Sequence, residues 1–204
     1  DIGAKDKTQA LQNVSVGDCA IMCGQFYECG DRILSKALDD RIGCAVLIDL
    51  IKTFDEYDFY AVFSVQEEVG LRGAKVAAFS VKPDFAIVLE GTTAADIADV
   101  TFENTVCSLG KGPAVSFMDK SCVYDRKLYD AAINSKIMCQ QKRAVAGGNN
   151  SGTIHLSGKG VRTLAVSVPC RYIHSAYSIA DINDIKNAKS LAEFMIKEIA
   201  EGKV

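Results

Sequence analysis

From residue 38 onward, apolar segments of strand character alternate with apolar segments of helical character. The strand-like segments are residues 57–65, 84–89, 113–118 and 161–168, and the helix-like segments are residues 42–51, 71–79, 124–141 and 182–199. Such alternation is typical of chains in which helices connect the strands of one sheet. The strands are nearly continuous runs of Val, Ile, Leu and Ala, which indicates burial on both faces. The sequence therefore predicts an α/β fold, a mostly parallel sheet with helices on both faces.

The first 35 residues do not follow this alternation. Residues 14–29 have the character of short strands, with a turn at Gly17-Asp18. We therefore predict two units, a separate small β unit over residues 1–35 and the α/β domain over residues 36–204.

The composition excludes several classes of function. The 204 residues contain 23 Lys and Arg against 26 Asp and Glu, and the net charge of −3 gives no electrostatic basis for binding nucleic acid or an anionic membrane. No apolar run approaches the roughly 18 residues that span a bilayer. The 8 cysteines include no Cys-x-x-Cys pair. We therefore expect free, mostly buried thiols and a cytoplasmic location.

Acidic side chains and a histidine directly follow the predicted strands, and an acidic pair precedes the first buried helix. These residues are Asp39, Asp40, Glu67, Glu68, Glu90 and His174. In open α/β sheets, ligands bind at the carboxyl ends of the strands. We therefore expect these side chains to meet at one edge of the sheet.

Glu67 and Glu68 are adjacent carboxylates, and their proximity has a chemical consequence. Two negative charges this close repel, and one takes up a proton unless a cation neutralises them. A divalent metal is the simplest such cation. One glutamate can then bind the metal while its neighbour handles the protons of a water molecule. The pair therefore fits a metal site in which one glutamate binds the ion and the other handles protons.

Each of these motifs has a simpler interpretation when it is taken alone. The Glu67-Glu68 pair also fits a solvated acidic turn, and the Asp39-Asp40 pair also fits a helix N-cap. A single histidine is more often structural than a ligand. His155, which follows a glycine-rich loop, is the second candidate among the two histidines.

Other chemistries have weaker support. Glu67 and Glu90 fit the two carboxylates of a glycoside hydrolase, but the chain has no Trp to form a sugar platform. A cysteine nucleophile paired with His174 stays open, although Cys170 lies too near His174 in a predicted strand. The G-x-S-x-G, G-x-G-x-x-G and P-loop motifs are absent.

Three segments together resemble the tetrahedral aminopeptidase family. They read Ser35-Lys36-Ala37-Leu38-Asp39-Asp40-Arg41, Ser64-Val65-Gln66-Glu67-Glu68-Val69-Gly70 and Arg171-Tyr172-Ile173-His174-Ser175. The family includes glutamyl and deblocking aminopeptidases, and some members were labelled endoglucanases. The similarity extends over essentially the whole chain, and the middle segment is the most specific of the three.

The resemblance implies a site with two divalent metal ions, for which zinc, cobalt or manganese suits the mixed ligands. Its implied ligands are Asp39, which bridges both metals, Glu68 and His174, which complete one metal, and Glu90, which binds the other. Glu67 is the implied general base. The resemblance also implies a cis peptide between Asp39 and Asp40.

Some features depart from the family pattern. Glu90 stands where many members have Asp, and the loop Gly148-Asn149-Asn150-Ser151-Gly152 differs from the expected form, which contains Thr-Asp-Ala. A His-x-Asp motif that supplies a further ligand is missing upstream. The resemblance therefore implies the C-terminal part of a longer enzyme. Residues 1–35 would be the tail of an inserted small β domain, and residues 36–204 the catalytic domain without its N-terminal part.

The sequence thus predicts a metal-dependent aminopeptidase that releases N-terminal residues from peptides. Water activated by two metals attacks the peptide carbonyl, and Glu67 acts as the general base. We expect a peptide substrate, no nucleic acid or membrane partner, and, by resemblance, an intact enzyme of twelve subunits. We expect the 204 residues alone to be inactive. The alternative from a different class is an inactive fragment that serves only as an association module.

Overall fold

The computed structural model describes residues 1–204, which form six α-helices and seven strands. The helices are α1 (Lys7–Ala10), α2 (Leu38–Thr53), α3 (Arg72–Val81), α4 (Arg126–Ile133), α5 (Ser151–Ile154) and α6 (Ile182–Ala200). The strands are β1 (Tyr27–Cys29), β2 (Arg32–Ser35), β3 (Phe85–Thr93), β4 (Ala114–Val115), β5 (Gln140–Gln141), β6 (Arg162–Arg171) and β7 (Ser178–Asp181). None of the helices combines the length and the apolar character that crossing a membrane requires.

All seven strands belong to one sheet. Their order is β1-β2-β7-β6-β4-β5, and β3 pairs with β6. β3 runs parallel to β6 along its whole length, and β4 runs parallel to β5. The helices pack against this sheet, with α2 on β3 and α6 on β6. The predicted α/β class is confirmed.

The prediction of a mostly parallel sheet is wrong. Four pairings are antiparallel, namely β1–β2, β2–β7, β4–β6 and β6–β7. Short connections explain part of this difference, because only residues 30–31 separate β1 from β2 and only residues 172–177 separate β6 from β7. A chain needs about a dozen residues or more to return in the parallel direction. β7 was not predicted, and residues 1–35 were assigned to a separate β unit, so these antiparallel pairings were not expected.

β6 forms the centre of the fold. It is buried at every position from Thr163 to Cys170, so both of its faces are covered. On one face, Leu164 packs with Leu128 of α4 and Leu191 of α6 in the main core. On the other face, Ala165 belongs to a smaller cluster. Because β3 pairs with β6 along its whole length, the buried β6 determines the position of β3 in the sheet.

One edge of β3 carries no strand. Residues 57–65 are predicted as a strand, but they form no ladder in the structure, and residues 57–64 make no backbone hydrogen bond. A cavity of about 710 Å³ is lined by this segment and by β3. A strand requires a partner for its backbone groups, and the described residues provide none here.

α2 is buried on one face only. Ile42, Val46 and Leu50 are buried in the core, as predicted for this apolar segment, whereas Ile48 and Ile51 are 45% and 52% exposed. The prediction of a buried helix therefore holds for one face of α2 only. The expectation of mostly buried thiols is also wrong for half of the cysteines, since Cys19, Cys23, Cys29 and Cys44 are exposed.

β2 attaches the first 35 residues to the sheet. It pairs with β7 from Arg32 opposite Asp181 to Ser35 opposite Ser178, and Arg32 forms an ion pair with Asp181. β2 ends at Ser35 and α2 begins at Leu38. The pairing of β2 with the sheet therefore determines the position of Asp39, at the start of α2. The boundary between two units at residue 35 stays a prediction.

Candidate metal centre

Asp39, Glu68 and His174 lie in one cluster, although they come from distant parts of the chain. Nε2 of His174 is 3.3 Å from Oδ2 of Asp39 and 3.4 Å from Oε2 of Glu68. The ligand atoms of all three residues lie within 4.8 Å of one another. Two atoms that bind one zinc ion at tetrahedral angles are about 3.4 Å apart, given bonds of about 2.1 Å. The spacing therefore suits a single ion held by three side chains.

Irregular connections, and not the regular parts of helices and strands, position these side chains. Asp39 lies at the start of α2 with a non-helical backbone, and its peptide bond to Asp40 is cis, as the resemblance implies. Glu68 lies in the turn before α3, and His174 lies between β6 and β7. The three connections meet beside β3 and β6, which bring them to one end of the sheet.

Left-handed backbone conformations accompany all three ligand positions. Ala37, Gln66 and Tyr172 have φ values of 51°, 58° and 58°, and His174 itself has a φ of 61°. This region is uncommon for residues other than glycine. Such conformations concentrate at functional sites, where the surrounding structure holds them. The backbone therefore supports a functional site independently of the side-chain chemistry.

Glu90 lies beside Asp39. The residue that follows it, Gly91, donates its N–H to Oδ1 of Asp39 at 3.3 Å. A Cβ atom at position 91 would lie 2.9 Å from the Cβ of Asp39, so this close approach requires glycine. Asp39 therefore directs Oδ2 towards His174 and Oδ1 towards the β3 backbone next to Glu90.

Two cavities meet at this cluster. The cavity of about 710 Å³ is lined by Asp39, Glu67, Glu68 and Glu90. A second cavity, of about 330 Å³, is lined by Asp39, Glu68 and His174. The predicted site residues thus each line one or both cavities, and three of them, Asp39, Glu68 and His174, form the close group.

The cluster concentrates negative charge. Burial and the neighbouring Glu68 raise the pKa of Asp39. Burial, Glu68 and Asp39 raise the pKa of Glu67, and burial raises the pKa of Glu90. No lysine or arginine forms an ion pair with any of these carboxylates. A bound cation would offset this repulsion.

The donor set fits a divalent transition metal. Two carboxylates and one imidazole suit zinc, cobalt or manganese, whereas calcium and magnesium prefer oxygen ligands alone. The residues present therefore fit the kind of ion that the resemblance implies.

Asp40 has a different role from Asp39. Its Oδ1 accepts the N–H of Gly43 at 2.9 Å in the first turn of α2, and burial raises its pKa to about 8. The N-cap interpretation of the acidic pair thus applies to Asp40. Asp39 remains free to face the cluster.

His155 and Cys170 take no part in the cluster. Nδ1 of His155 lies 2.7 Å from the carbonyl oxygen of Ser151, at the end of α5. Cys170 is fully buried, and burial raises its pKa to about 12. A thiol in such surroundings does not supply the thiolate that a nucleophile requires. Cys170 therefore does not support the cysteine alternative.

Asn149 and Ser167 contact the site, but the sequence analysis did not identify them. Each donates a hydrogen bond of 3.0 Å to Oε1 of Glu90. Ser167 lies opposite Glu90 in the β3–β6 register, and Asn149 lies in the loop before α5. The loop was visible in the sequence as a departure from the family pattern. Its contact with β3 depends on the packing of residues far apart in the chain.

Comparison with known proteins gives a consistent result. The family model described as M42 glutamyl aminopeptidase matches residues 1–191. A putative aminopeptidase of Acetivibrio thermocellus is 43% identical over 197 residues, which cover 94% of this chain and 59% of the relative. The chain thus spans less than two thirds of that relative's length.

Solved structures show the same similarity. A TET aminopeptidase from a marine sediment Thaumarchaeota archaeon has a TM-score of 0.92 and 33% identity, with 100% of this chain and 62% of that chain covered. The TET1 peptidase of Pyrococcus horikoshii, which can assemble into a tetrahedron or a large octahedral shell, has a TM-score of 0.77 and 32% identity. That comparison covers 96% of this chain and 59% of the other.

Proposed function

The chain belongs to the M42 glutamyl aminopeptidase family, and we propose that it acts in a metal-dependent aminopeptidase that releases N-terminal residues from peptides. The observation that carries this proposal is the convergence of Asp39, Glu68 and His174 at the spacing of one metal ion. Peptide hydrolysis at neutral pH needs a strong nucleophile and stabilisation of the oxyanion, and metal sites of this type supply both.

In this proposal, Asp39, Glu68 and His174 would hold one divalent ion, and Asp39 and Glu90 would contribute to holding a second. When bound, the ions lower the pKa of water and polarise the carbonyl of the scissile peptide bond. Zinc, cobalt and manganese all suit these ligands. Asp39 would contribute to both sites, because its Oδ2 lies 3.3 Å from Nε2 of His174 and its Oδ1 accepts the N–H of Gly91, the residue after Glu90.

Glu67 is the proposed general base. Its carboxylate accepts the proton of the attacking water and then donates this proton to the leaving amine. Glu67 is half-buried on the wall of the large cavity, and burial and the neighbouring carboxylates raise its pKa. Glu68 is exposed and lies against His174, which suits a ligand better than a base.

We further propose that the 204 residues alone do not turn over substrate. Among them, only Asp39 and Glu90 are available for the second ion, whereas catalytic metal sites usually have three protein ligands. Metal analysis of the purified chain should find at most one tightly bound ion, with no hydrolysis of a chromogenic aminoacyl substrate. Two tight ions with full turnover would contradict this part of the proposal.

We also propose that the whole protein forms a homo-oligomer, of twelve subunits by family resemblance. The support comes from the Pyrococcus horikoshii relative, which can assemble into a tetrahedron or a large octahedral shell. Light scattering of the protein expressed from the initiator Met of its gene would measure the assembly directly.

The activity is best tested on that same protein, with aminoacyl p-nitroanilides as substrates and zinc, cobalt or manganese added in turn. We expect hydrolysis that is lost with a chelator and restored by metal. His174→Ala should abolish hydrolysis, whereas His155→Ala, the matched change at the other histidine, should leave it intact. Activity that resists chelation would contradict the proposal and would favour a hydrolase that needs no metal.

A further inference from the structure

Glu90 is held by one of its two carboxylate oxygens. Oε1 accepts a hydrogen bond from Oγ of Ser167 and another from Nδ2 of Asn149, both at 3.0 Å. No side chain or backbone group donates to Oε2. With Oε1 occupied in this way, Oε2 is the oxygen that remains available to a ligand in the large cavity, which Glu90 lines.

We infer that Asn149 is a positioning residue, which fixes the Glu90 carboxylate through Oε1 and leaves Oε2 available to an ion in the large cavity. The inference rests on the proposed function in one respect, namely that Glu90 is a metal ligand. Groups that orient metal ligands through hydrogen bonds contribute to metal affinity although they never contact the ion.

The direction of the Asn149 amide is determined by its neighbours. Oδ1 of Asn149 accepts the N–H of Ser151 at 2.8 Å, so Oδ1 must point towards the start of α5. Nδ2 then points the other way, towards Glu90. An asparagine nitrogen donates and its oxygen accepts. With the amide reversed, Nδ2 would meet the N–H of Ser151, another donor, and Oδ1 would meet Oε1 of Glu90, another acceptor.

A buried chain of hydrogen bonds holds Asn149 from behind. Its Nδ2 also donates to the hydroxyl of Tyr124 at 2.7 Å, and that hydroxyl donates to Oδ2 of Asp119. Nδ2 has only two hydrogens, and Glu90 and Tyr124 accept at shorter distances than the 3.3 Å to Oδ2 of Asp119. Asn149, Tyr124 and Asp119 are 2%, 3% and 4% exposed.

Asp119 anchors this chain. Its Oδ1 accepts the N–H of Ser121 at 2.7 Å, the hydroxyl of Ser121 at 2.9 Å and the N–H of Cys122 at 2.8 Å. The anchor therefore depends on backbone groups that cannot rotate away. A fully satisfied buried network of this kind favours one arrangement of its members.

The experiment compares Asn149→Ala, Glu90→Gln and the double variant, with Asn150→Ala as the matched control. Asn150 is the neighbouring asparagine, and its amide donates to Ser64 and not to Glu90. Cobalt(II) is titrated into each protein while its visible absorption is recorded. We expect Asn149→Ala to weaken the ion next to Glu90 by about 10- to 100-fold and to add no further loss to Glu90→Gln.

Losses that add in the double variant, or an equal loss in Asn150→Ala, would overturn the inference, because either would show a general structural effect. If the unsubstituted chain and all its variants bind only one cobalt ion, a second measurement tests whether Asn149 positions Glu90. In the ion-free chain, Glu90→Gln and Tyr124→Phe should each shift the NMR signal of the Asn149 side-chain amide and leave that of Asn150 in place. An unmoved Asn149 signal would overturn the inference.

Neither measurement requires turnover. Absence of aminopeptidase activity in the whole protein would count against the proposed function and leave these results standing. Conversely, full aminopeptidase activity together with an unmoved Asn149 signal would refute only the inference about Asn149 and would leave the proposed function standing.

Discussion

Glu67 and Glu68 are neighbours in the chain, but their surroundings differ. Glu67 is half-buried on the wall of the large cavity, and burial together with nearby carboxylates raises its pKa. Glu68 is exposed, and its Oε2 lies 3.4 Å from Nε2 of His174. This contrast underlies the proposed division between a residue that moves a proton and a residue that holds an ion.

The division predicts different outcomes for the same substitution at the two positions. In the protein expressed from its whole gene, Glu67→Gln should retain bound metal and lose turnover by about 10²- to 10⁴-fold, the usual contribution of a general base. Glu68→Gln should lose metal, since an amide is a poorer ligand than a carboxylate. Metal content by elemental analysis and hydrolysis rates measure the two effects. Glu28→Gln, on the exposed strand β1, is the control. Equal metal loss at both positions would refute the division.

Much of the candidate site could be predicted at this scale from placement beside predicted strands and helices, although in the structure Glu90 lies inside β3 and no strand directly precedes Glu68. Asp39, Glu68, Glu90 and His174 were all identified from such positions and from the resemblance. Asn149 was not, because nothing in its local sequence indicates a contact with β3. Its partner Glu90 lies 59 positions away in the chain, and only the folded packing brings the two together.

α4 begins at a residue that joins local and distant structure. The side chain of Asp125 accepts the N–H groups of Lys127 and Leu128, which makes it the N-cap of α4. The same carboxylate receives two hydrogen bonds from Arg162 of β6, at 2.7 and 2.9 Å. One carboxylate thus stabilises the start of a helix and attaches that helix to the central strand.

Asp125→Ala should therefore lower the free energy of unfolding by about 2 kcal/mol, from the lost cap and the lost charged hydrogen bonds. Asp125→Asn should cost less, because asparagine also caps helices but loses the charge. Urea unfolding measures both values. Asp130→Ala, which removes the exposed partner of Arg126 on the same helix, should have a smaller effect.

The effect of Asp125→Asn should depend on pH. Hydrogen bonds from Arg162 lower the pKa of Asp125 below its ordinary value of 3.8. Because its pKa is lowered by folding, the ionised Asp125 carboxylate stabilises the folded protein. This stabilisation is fully present above pH 3.8 and is lost as the pH falls through the pKa of Asp125 in the folded state. The difference between wild type and Asp125→Asn should thus be constant near neutral pH and shrink below about pH 4. A difference that grows on acidification would contradict this account.

Among the helices and strands, the sequence predicted those with a clear local apolar pattern and a position in the centre of the fold. β3, β6 and α6 were all predicted with small errors at their ends. The segment 57–65 was predicted as a strand from its β-rich composition, yet it has none of the backbone partners that a strand requires. Pairing direction was also mispredicted, because strand order depends on contacts between distant segments, and amphipathic patterns do not encode those contacts.

The whole molecule exposes apolar surface at the large cavity. Tyr60 and Phe63, which line it, are 80% and 49% exposed, and the neighbouring edge of β3 is unpaired. Exposed apolar patches and free strand edges both favour association with another chain. This surface therefore favours self-association of the 204 residues in solution.

The chain should self-associate as its concentration rises, and sedimentation velocity measures this directly. Phe63→Asp should shift the chain towards the monomer by placing a charge in the apolar cavity. Val16→Asp adds the same charge at a residue that is 98% exposed and does not line either cavity, so it should leave association unchanged. A monomer at all concentrations, or an equal effect of both variants, would show that the cavity surface does not drive association.

The central claim is that Asp39, Glu68 and His174 bind a divalent metal ion. Anomalous diffraction at the zinc edge, from crystals of the chain grown with zinc, tests it most directly. The account predicts a peak between Oδ2 of Asp39, Oε2 of Glu68 and Nε2 of His174, about 2.0–2.3 Å from each. The peak should vanish in His174→Ala. Zinc bound only elsewhere, for instance at the exposed thiols of Cys19 and Cys23, would contradict the account.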